Sequence, residues 1–425
     1  MEIAALGDSG RILLWCRQTV RAMIRKIASE RLKPGMYVHE LGGSWFEHPF
    51  WRNRFLIADD ADVQRILDAG ISEVYIDTVR GLDDAEAVDV HVVAEQLMEE
   101  MATAAAEPLH DWQPVPVQEE YARAREVHSQ AQKAVHAVLH DVRLGRAIAT
   151  EALESVVESI TDSIMRCPSA LIGLVGLKNK DDYTFLHCVS VGTLMIAFGK
   201  TLGLPVEALR ELGMGGLLHD VGKMRVPDAI LNKPGALSDA EFAVIKRHPE
   251  DGHRVLLAHG GIAPIALDIT RHHHERIDGS GYPDGLAGKA ISQQARMSAV
   301  VDVYDAITAD RCYHRGMPAT EALRKMWEWS ENHFDRAVLQ AFMKCVGIYP
   351  VGSVVKLQSG LIGVVIEQNA QSLLTPRVKL LYHSTSMRFV EPSVLNLEHS
   401  DERIVSCEPG GRWPIEPALH IGAVA

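Results

Sequence analysis

Residues 271–286 read RHHHERIDGSGYPDGL. Three consecutive histidines and a glutamate lead into a loop built on Gly279, Gly281, Pro283 and Gly285. Histidine at that density is costly to bury and rarely needed for packing. A glycine-rich loop beside it lets backbone approach a ligand closely. Together they point to a metal centre with a shaped mouth for a substrate. A surface run that binds metal loosely is the plain alternative, and the surrounding chain decides between the two. On both sides of the run, over 119–345, apolar residues recur at three and four, as in EALESVVESITDSIMRC (151–167). No strand-like alternation interrupts this region, so the histidines are expected to lie in an all-α domain.

Outside that domain the pattern changes. LKPGMYVHEL (32–41) is a Pro-Gly turn followed by a strand, ADVQRILDAG (61–70) a short amphipathic helix, and ISEVYIDT (71–78) a second strand. Residues 28–82 are therefore expected to form a small α/β domain after an extension, 1–27. Trp45, Phe46, Phe50, Trp51 and Phe55 read as its compact core. Residues 83–118 are rich in Ala, Glu and Asp and end in DWQPVPVQ, which is linker composition. The helical domain spans 119–349. In the extension 350–425, β-branched stretches such as VGSVVKL and GLIGVVIEQ alternate with turn residues, predicting a small antiparallel β element over 350–400. The residues around CEPGGRWP (407–414) read as weakly ordered.

The net charge of −13 argues against nonspecific binding to DNA or to a membrane surface. An anionic substrate would need a local patch of cations or metal ions. The six cysteines are scattered without a CxxC pair, which fits a reducing cytoplasm and excludes a zinc ribbon. No apolar run approaches the ~20 residues that span a bilayer.

Within the helical domain, titratable residues fall at helix ends or inside apolar helices. LLHDVGKMRVP (217–227) sets His219 and Asp220 at the end of an apolar helix, and IKRHPEDG (245–252) sets His248 on the next. DDYTFLHCVSV (181–191) places His187 near the start of a long apolar helix, and AVVDVYDAI (299–307) buries Asp302 in another. Taken singly, His187 reads as a core histidine and Asp302 as a locally paired carboxylate. An unpaired buried charge costs several kcal/mol, so Asp302 needs a metal, a lysine or an arginine. Neighbours on a helix diverge by ~100°, so His219 and Asp220 reach one centre only by flanking it. An Asp placed so can bridge two metals. Imidazole and carboxylate without cysteine suit Fe, Mn or Zn rather than Cu(I). Two such ions ~3.5–4 Å apart suit an in-line phosphoryl displacement. His128, His136 and His140 lack carboxylate or cysteine support and read as surface or packing residues.

HDVGK (219–223), ILNKPG (230–235), HHERIDGSGYPDGL (273–286) and VVDVYDAITADRCYHRG (300–316) resemble the HD-GYP family of bacterial phosphodiesterases, within the HD metal-dependent phosphohydrolase superfamily. The N-terminal module is similar to the small uncharacterised domain that often precedes HD-GYP domains, and the tail to the β extension of the same subgroup. The resemblance implies a mainly α fold: a helical HD-type metallophosphohydrolase domain, a small α/β N-terminal domain and a short β-rich C-terminal extension. It implies hydrolysis of cyclic di-GMP to linear pGpG and, in many members, on to GMP.

The ligand set it implies is His187, His219, Asp220, His248, His273, His274 and Asp302. These would hold two divalent ions, Fe or Mn first, with Asp220 between them. The residues alone leave the register of the three histidines open; counting back from DGSGYP selects His273 and His274 and leaves out His272. Lys223 matches a lysine that contacts the scissile phosphate and Arg311 a phosphate-binding arginine. Tyr282 lies in the loop that borders the substrate, and Asp305, one turn from Asp302, is expected both to support the site and to contact the substrate. Two positions depart from the family. Tyr183 stands where some members carry a glutamate for a third metal, which leans to two metals. His314 replaces a basic residue, with Arg315 as its substitute. Two other readings stay open: a cyclic-dinucleotide sensor or adaptor without turnover, and a phosphodiesterase for another cyclic dinucleotide such as cGAMP. Helices near 119–166 could pack against a second copy or a signalling partner protein.

Overall fold

The computed structural model describes residues 24–41, 54–68, 71–89, 115–176, 183–233, 235, 237–309, 316–369, 372–409 and 411–421. The chain divides into two compact units, Met1–Leu97 and Met98–Ala425.

In the first unit, strands β1 (Ile24–Ala28), β2 (Tyr37–Leu41), β3 (Phe55–Leu56), β4 (Glu73–Asp77) and β5 (Val88–Asp89) form an antiparallel sheet in the order β3-β2-β4-β1-β5. Helix α1 (Asp60–Asp68) buries Ile66 in a core with Ile27, Val38, Ile57, Val74 and Ile76. Phe55 packs against that core, while Trp45, Phe46, Phe50 and Trp51 lie outside the described residues. The order extends beyond the expected 28–82 at both ends. β1 begins at Ile24, and the start of the supposed linker is tied down: Arg25 binds Asp83 at 2.6 Å and Arg31 binds Asp84 at 2.7 Å. Such long-range pairing is invisible in a composition that resembles a linker.

The second unit is helical from α2 (Val117–Arg143) through α3 (Thr150–Arg166), α4 (Pro168–Val175), α5 (Tyr183–Thr201) and α6 (Val206–Leu218). A 3-10 turn (Val221–Arg225) leads to α7 (Asp228–Leu231), α8 (Asp239–Ile245), α9 (His248–His259) and α10 (Pro264–His272). The last helices are α11 (Gln293–Thr308), α12 (Ala319–Trp329) and α13 (Arg336–Val346). Helix α5 is apolar on all sides, as a helix at the centre of a bundle must be. Its Phe198 meets Phe342 of α13 edge-on at 5.4 Å, and Phe342 in turn meets Tyr304 of α11 at 5.1 Å. A Cβ at Gly216 would fall 2.6 Å from the Cα of Gly192. The two glycines therefore let α5 and α6 cross backbone to backbone. That crossing sets His187 of α5 against His219 at the end of α6.

Strands β6 (Val354–Leu357), β7 (Leu361–Glu367), β8 (Arg377–His383), β9 (Arg388–Asn396) and β10 (Ile404–Glu408) form a second antiparallel sheet, ordered β10-β6-β7-β8-β9. It reaches past the expected end at 400. The residues read as weakly ordered pack back instead. Trp413 Nε1 donates to Glu408 at 2.9 Å, the Trp413 ring meets Tyr382 at 5.6 Å, and Ile415 and Ile421 are buried. A few anchoring side chains hold this tail without any periodicity that a sequence could display.

Candidate metal centre

The turn after α6 is the hub. His219 caps α6 and Asp220 opens the 3-10 turn. His248 begins α9, His273 caps α10 with His274 next to it, His187 stands one turn into α5, and Asp302 lies in the middle of α11. All but His274 are nearly fully buried. The structure brings all seven together in groups that could hold metal: His187, His219 and Asp302; His219, Asp220 and His273; and His248, His273 and His274.

The two oxygens of Asp220 divide the histidines. Oδ2 lies 3.4 Å from His219 Nε2 and 3.7 Å from His187 Nε2. Oδ1 lies 3.2 Å from His248 Nε2 and 3.8 Å from His273 Nε2. Asp302 spans the pair in the same way, with Oδ1 at 3.0 Å from His187 Nε2 and Oδ2 at 3.7 Å from His274 Nδ1.

The outward-facing nitrogens are already engaged. His219 Nδ1 is 2.8 Å from the Gly216 carbonyl, His248 Nδ1 is 2.8 Å from Ile245 O, and His273 Nδ1 is 3.1 Å from Thr270 O. His187 Nδ1 is 2.7 Å from Asp305 Oδ2. A carbonyl only accepts, so each of those Nδ1 atoms carries the proton and each Nε2 presents a lone pair inward. His248 and His273 then face each other with Nε2 atoms 3.2 Å apart, beside Asp220 Oδ1, which is buried and accepts no hydrogen bond. Lone pairs and an orphaned carboxylate oxygen converging on one point fit a cation.

Electrostatics point the same way. Burial, reinforced by the neighbouring histidines, holds His273 far below the usual histidine range. Burial takes His274 down to about 3 against the pull of Asp302. Both stay neutral, as ligands must. Burial alone would raise the carboxyl of Asp220, but Lys223 and His219 outweigh it and keep it ionised. Asp302 is kept ionised against burial chiefly by His187. His187 goes the other way: burial pushes its ring down, but Asp302 and Asp305 overcome it and raise the ring to about 9, so a cation at its Nε2 would have to displace a proton.

Lys223 Nζ donates to Asp220 Oδ2 at 2.6 Å, and its side chain is a quarter exposed, so it joins the buried centre to the solvent side. Tyr282 lies against the cluster, its ring 4.7 Å from that of His274. Asp305 takes a different place from the expected substrate contact. It is buried and hydrogen-bonded to His187 Nδ1, on the side of the ring away from the cluster. Its one-turn spacing from Asp302 signalled proximity but could not tell front from back. Replacing Asp305 by Asn is expected to weaken metal binding about ten- to a hundredfold, checked by titrating metal-free protein with Mn2+. Arg311, His314 and Arg315 lie outside the described residues.

His272 stands apart from the cluster. Its Nδ1 binds Asp268 at 2.8 Å and its Nε2 binds Asp284 at 2.9 Å, while Arg271 holds Asp284 through two bonds of 2.8 Å. The first histidine of the run thus ties helix α10 to the glycine loop. Glu275 is a residue that sequence reasoning missed. Its buried carboxylate accepts from the Asp284 and Leu286 amides at 2.7 and 3.0 Å and folds the loop back towards His274. Its place directly after the paired histidines was the available signal. His136 and His140 stack on each other, with His136 against Phe185, as packing residues.

A helical bundle that gathers histidines around the two oxygens of one His-Asp carboxylate defines an HD-type metal-dependent phosphohydrolase. The chain belongs to the HD-GYP family of these enzymes. Residues 174–338 match the family described as HD domain, and residues 24–153 match a domain of unknown function, DUF3391. A cyclic di-GMP phosphodiesterase of Pseudomonas aeruginosa is 46% identical over 394 residues, covering 92% of this chain and 94% of that one. A 3'3'-cGAMP-specific phosphodiesterase of Vibrio cholerae is 40% identical over 147 residues, 35% of this chain and 34% of that one. Among solved structures, an HDG"Y"P protein from Bdellovibrio bacteriovorus aligns with a TM-score of 0.45 at 19% identity, covering 75% of this chain and 98% of that chain. Among the described residues, no helix is long and apolar enough to cross a membrane.

Proposed function

We propose that the chain hydrolyses cyclic di-GMP to pGpG, and onward to GMP, as a cytoplasmic enzyme of bacterial signalling. The observation that carries this reading is the division of the histidines between the two oxygens of Asp220, one of which has no hydrogen-bond donor. In this reading His187, His219 and Asp302 would hold one divalent ion and His248, His273 and His274 the other, with Asp220 available to either. Fe or Mn suits that donor set, and such a pair supplies Lewis acidity and water activation for an in-line displacement at phosphorus. The support from relatives is the long match to a cyclic di-GMP phosphodiesterase.

The chain's own residues position the substrate. Lys223, kept protonated by Asp220 and Asp302 against the effect of burial, is in place to stabilise charge developing on the scissile phosphate. Tyr282, held beside His274 by the braced glycine loop, borders the sugar or base. Arg311, on the resemblance of its motif alone, would supply a second contact to that phosphate.

The test is metal analysis of anaerobically purified protein, with products from cyclic di-GMP identified in the same preparation. The expected result is linear pGpG and about two metal ions per chain. Chelation is expected to lower the melting temperature and Mn2+ to restore it, because ligands that bind only the folded state stabilise it. Tight binding of cyclic di-GMP without a linear product, in Fe- or Mn-loaded protein, would favour a sensor instead. The similarity to a cGAMP-specific enzyme supports cGAMP as a second substrate, and the ratio of kcat/KM values for the two dinucleotides decides between them.

A further inference from the structure

Lys246 follows α8, and its ammonium lies over two rings: 4.8 Å from the centroid of Phe242 and 5.3 Å from that of Tyr282. Phe242 is four residues earlier, which places it on the same face. On the other side Tyr282 meets His274 at 4.7 Å. The four side chains form a column that runs outward from the metal centre: His274, Tyr282, Lys246, Phe242. Lys246 is exposed.

Three cations that lie near the cluster, the glycine loop or α8 are already paired. Lys223 is bound to Asp220 at 2.6 Å, Lys233 to Glu241 at 2.7 Å and Arg271 to Asp284 at 2.8 Å. No carboxylate pairs with Lys246 among the described residues. Aromatic faces orient an ammonium without cancelling its charge. Among the described residues of this chain of net charge −13, Lys246 is thus a cation held over aromatic faces, without a carboxylate partner, a single ring away from the candidate metal ligands.

We propose that Lys246 binds the second, non-scissile phosphodiester of a cyclic dinucleotide. The inference rests on the phosphodiesterase reading above. A cyclic dinucleotide carries two phosphates on one small ring, so fixing the first at the metal centre brings the second close by. Lys223 is committed to the first. Lys246 lies further out along the same column, and a point-charge donor on a flexible stem suits a phosphate.

The experiment compares Lys246→Met, which keeps an apolar stem on the two rings, with Lys246→Arg, which keeps the charge. Each is assayed on cyclic di-GMP and on bis(4-nitrophenyl) phosphate, which has a single phosphodiester. For Lys246→Met, KM for cyclic di-GMP is expected to rise about tenfold with kcat within about twofold. The ratio of kcat/KM for cyclic di-GMP to that for the small diester should fall about tenfold, and Lys246→Arg should restore most of it. An unchanged KM in Lys246→Met overturns the inference alone. So does a parallel loss on both substrates, which would mark a structural role. Wild-type protein that cleaves the small diester but no cyclic dinucleotide overturns the phosphodiesterase reading, and this inference with it.

Discussion

Asp220→Ala is expected to abolish phosphodiester hydrolysis, with a loss on the order of a thousandfold or more. The substitution deletes both oxygens around which the histidines gather. It leaves His248 and His273 facing each other at 3.2 Å with nothing anionic between them and a cation, and it releases Lys223. A catalytic metal supplies several kcal/mol of transition-state stabilisation, and each 1.36 kcal/mol is a factor of ten. Metal content should fall along with activity. The measurement pairs elemental analysis with turnover of cyclic di-GMP, and the fold is checked by circular dichroism against chelated wild-type protein. Asp220→Asn, nearly the same size, should lose almost as much, because the amide cannot supply the charge. Normal turnover by Asp220→Ala protein would remove the basis for the whole metal-centre assignment.

Gly222→Ala is the second large effect, and it acts through backbone. A Cβ on Gly222 would fall 1.9 Å from the His248 carbonyl oxygen and 2.6 Å from the Gly252 nitrogen. Both belong to the first turns of α9, so no side chain can move aside. The 3-10 turn and α9 must separate, at an expected stability loss of about 3 kcal/mol or more, read by denaturant unfolding. His248 would then be displaced from Asp220 Oδ1, now 3.2 Å away. Misplacement of a catalytic group by about 1 Å can cost a hundredfold, and activity should fall by at least that much. Gly176→Ala serves as the control, since a Cβ there meets nothing closer than 3.5 Å. Equal stability of the two variants would refute the packing argument.

Buried polar residues are scarce in apolar helices and so drew attention to part of the site; read singly they suggested packing or local pairing, and the family resemblance supplied the ligand set. His187 and Asp302 stand out against such helices, and the His219-Asp220 pair ends a third. The three-histidine run was harder, because adjacent residues on a helix look alike without their surroundings. In the folded chain His273 is buried and His274 meets Asp302, while His272 spends both nitrogens on Asp268 and Asp284. Asp305 shows the same limit. Its spacing put it near Asp302, but only packing turned it to the back of His187.

The boundaries were less legible than the helices. Arg25 and Arg31 reach more than fifty residues along the chain to tie down Asp83 and Asp84, and Trp413 fixes the tail through one hydrogen bond to Glu408. Neither device has a period, so neither can be read locally. By itself the sequence determined the helical domain and the residue types of a metal centre, because periodicity and the cost of burying charge are properties of the chain's own composition and order; the family followed from the resemblance of its motifs. The tertiary structure decided which oxygen of Asp220 faces which histidines, which face of His187 is supported, and which cation is left oriented and unneutralised at the mouth. Those depend on directions in space, and close approaches such as Gly216 on Gly192 fix them only when the helices pack.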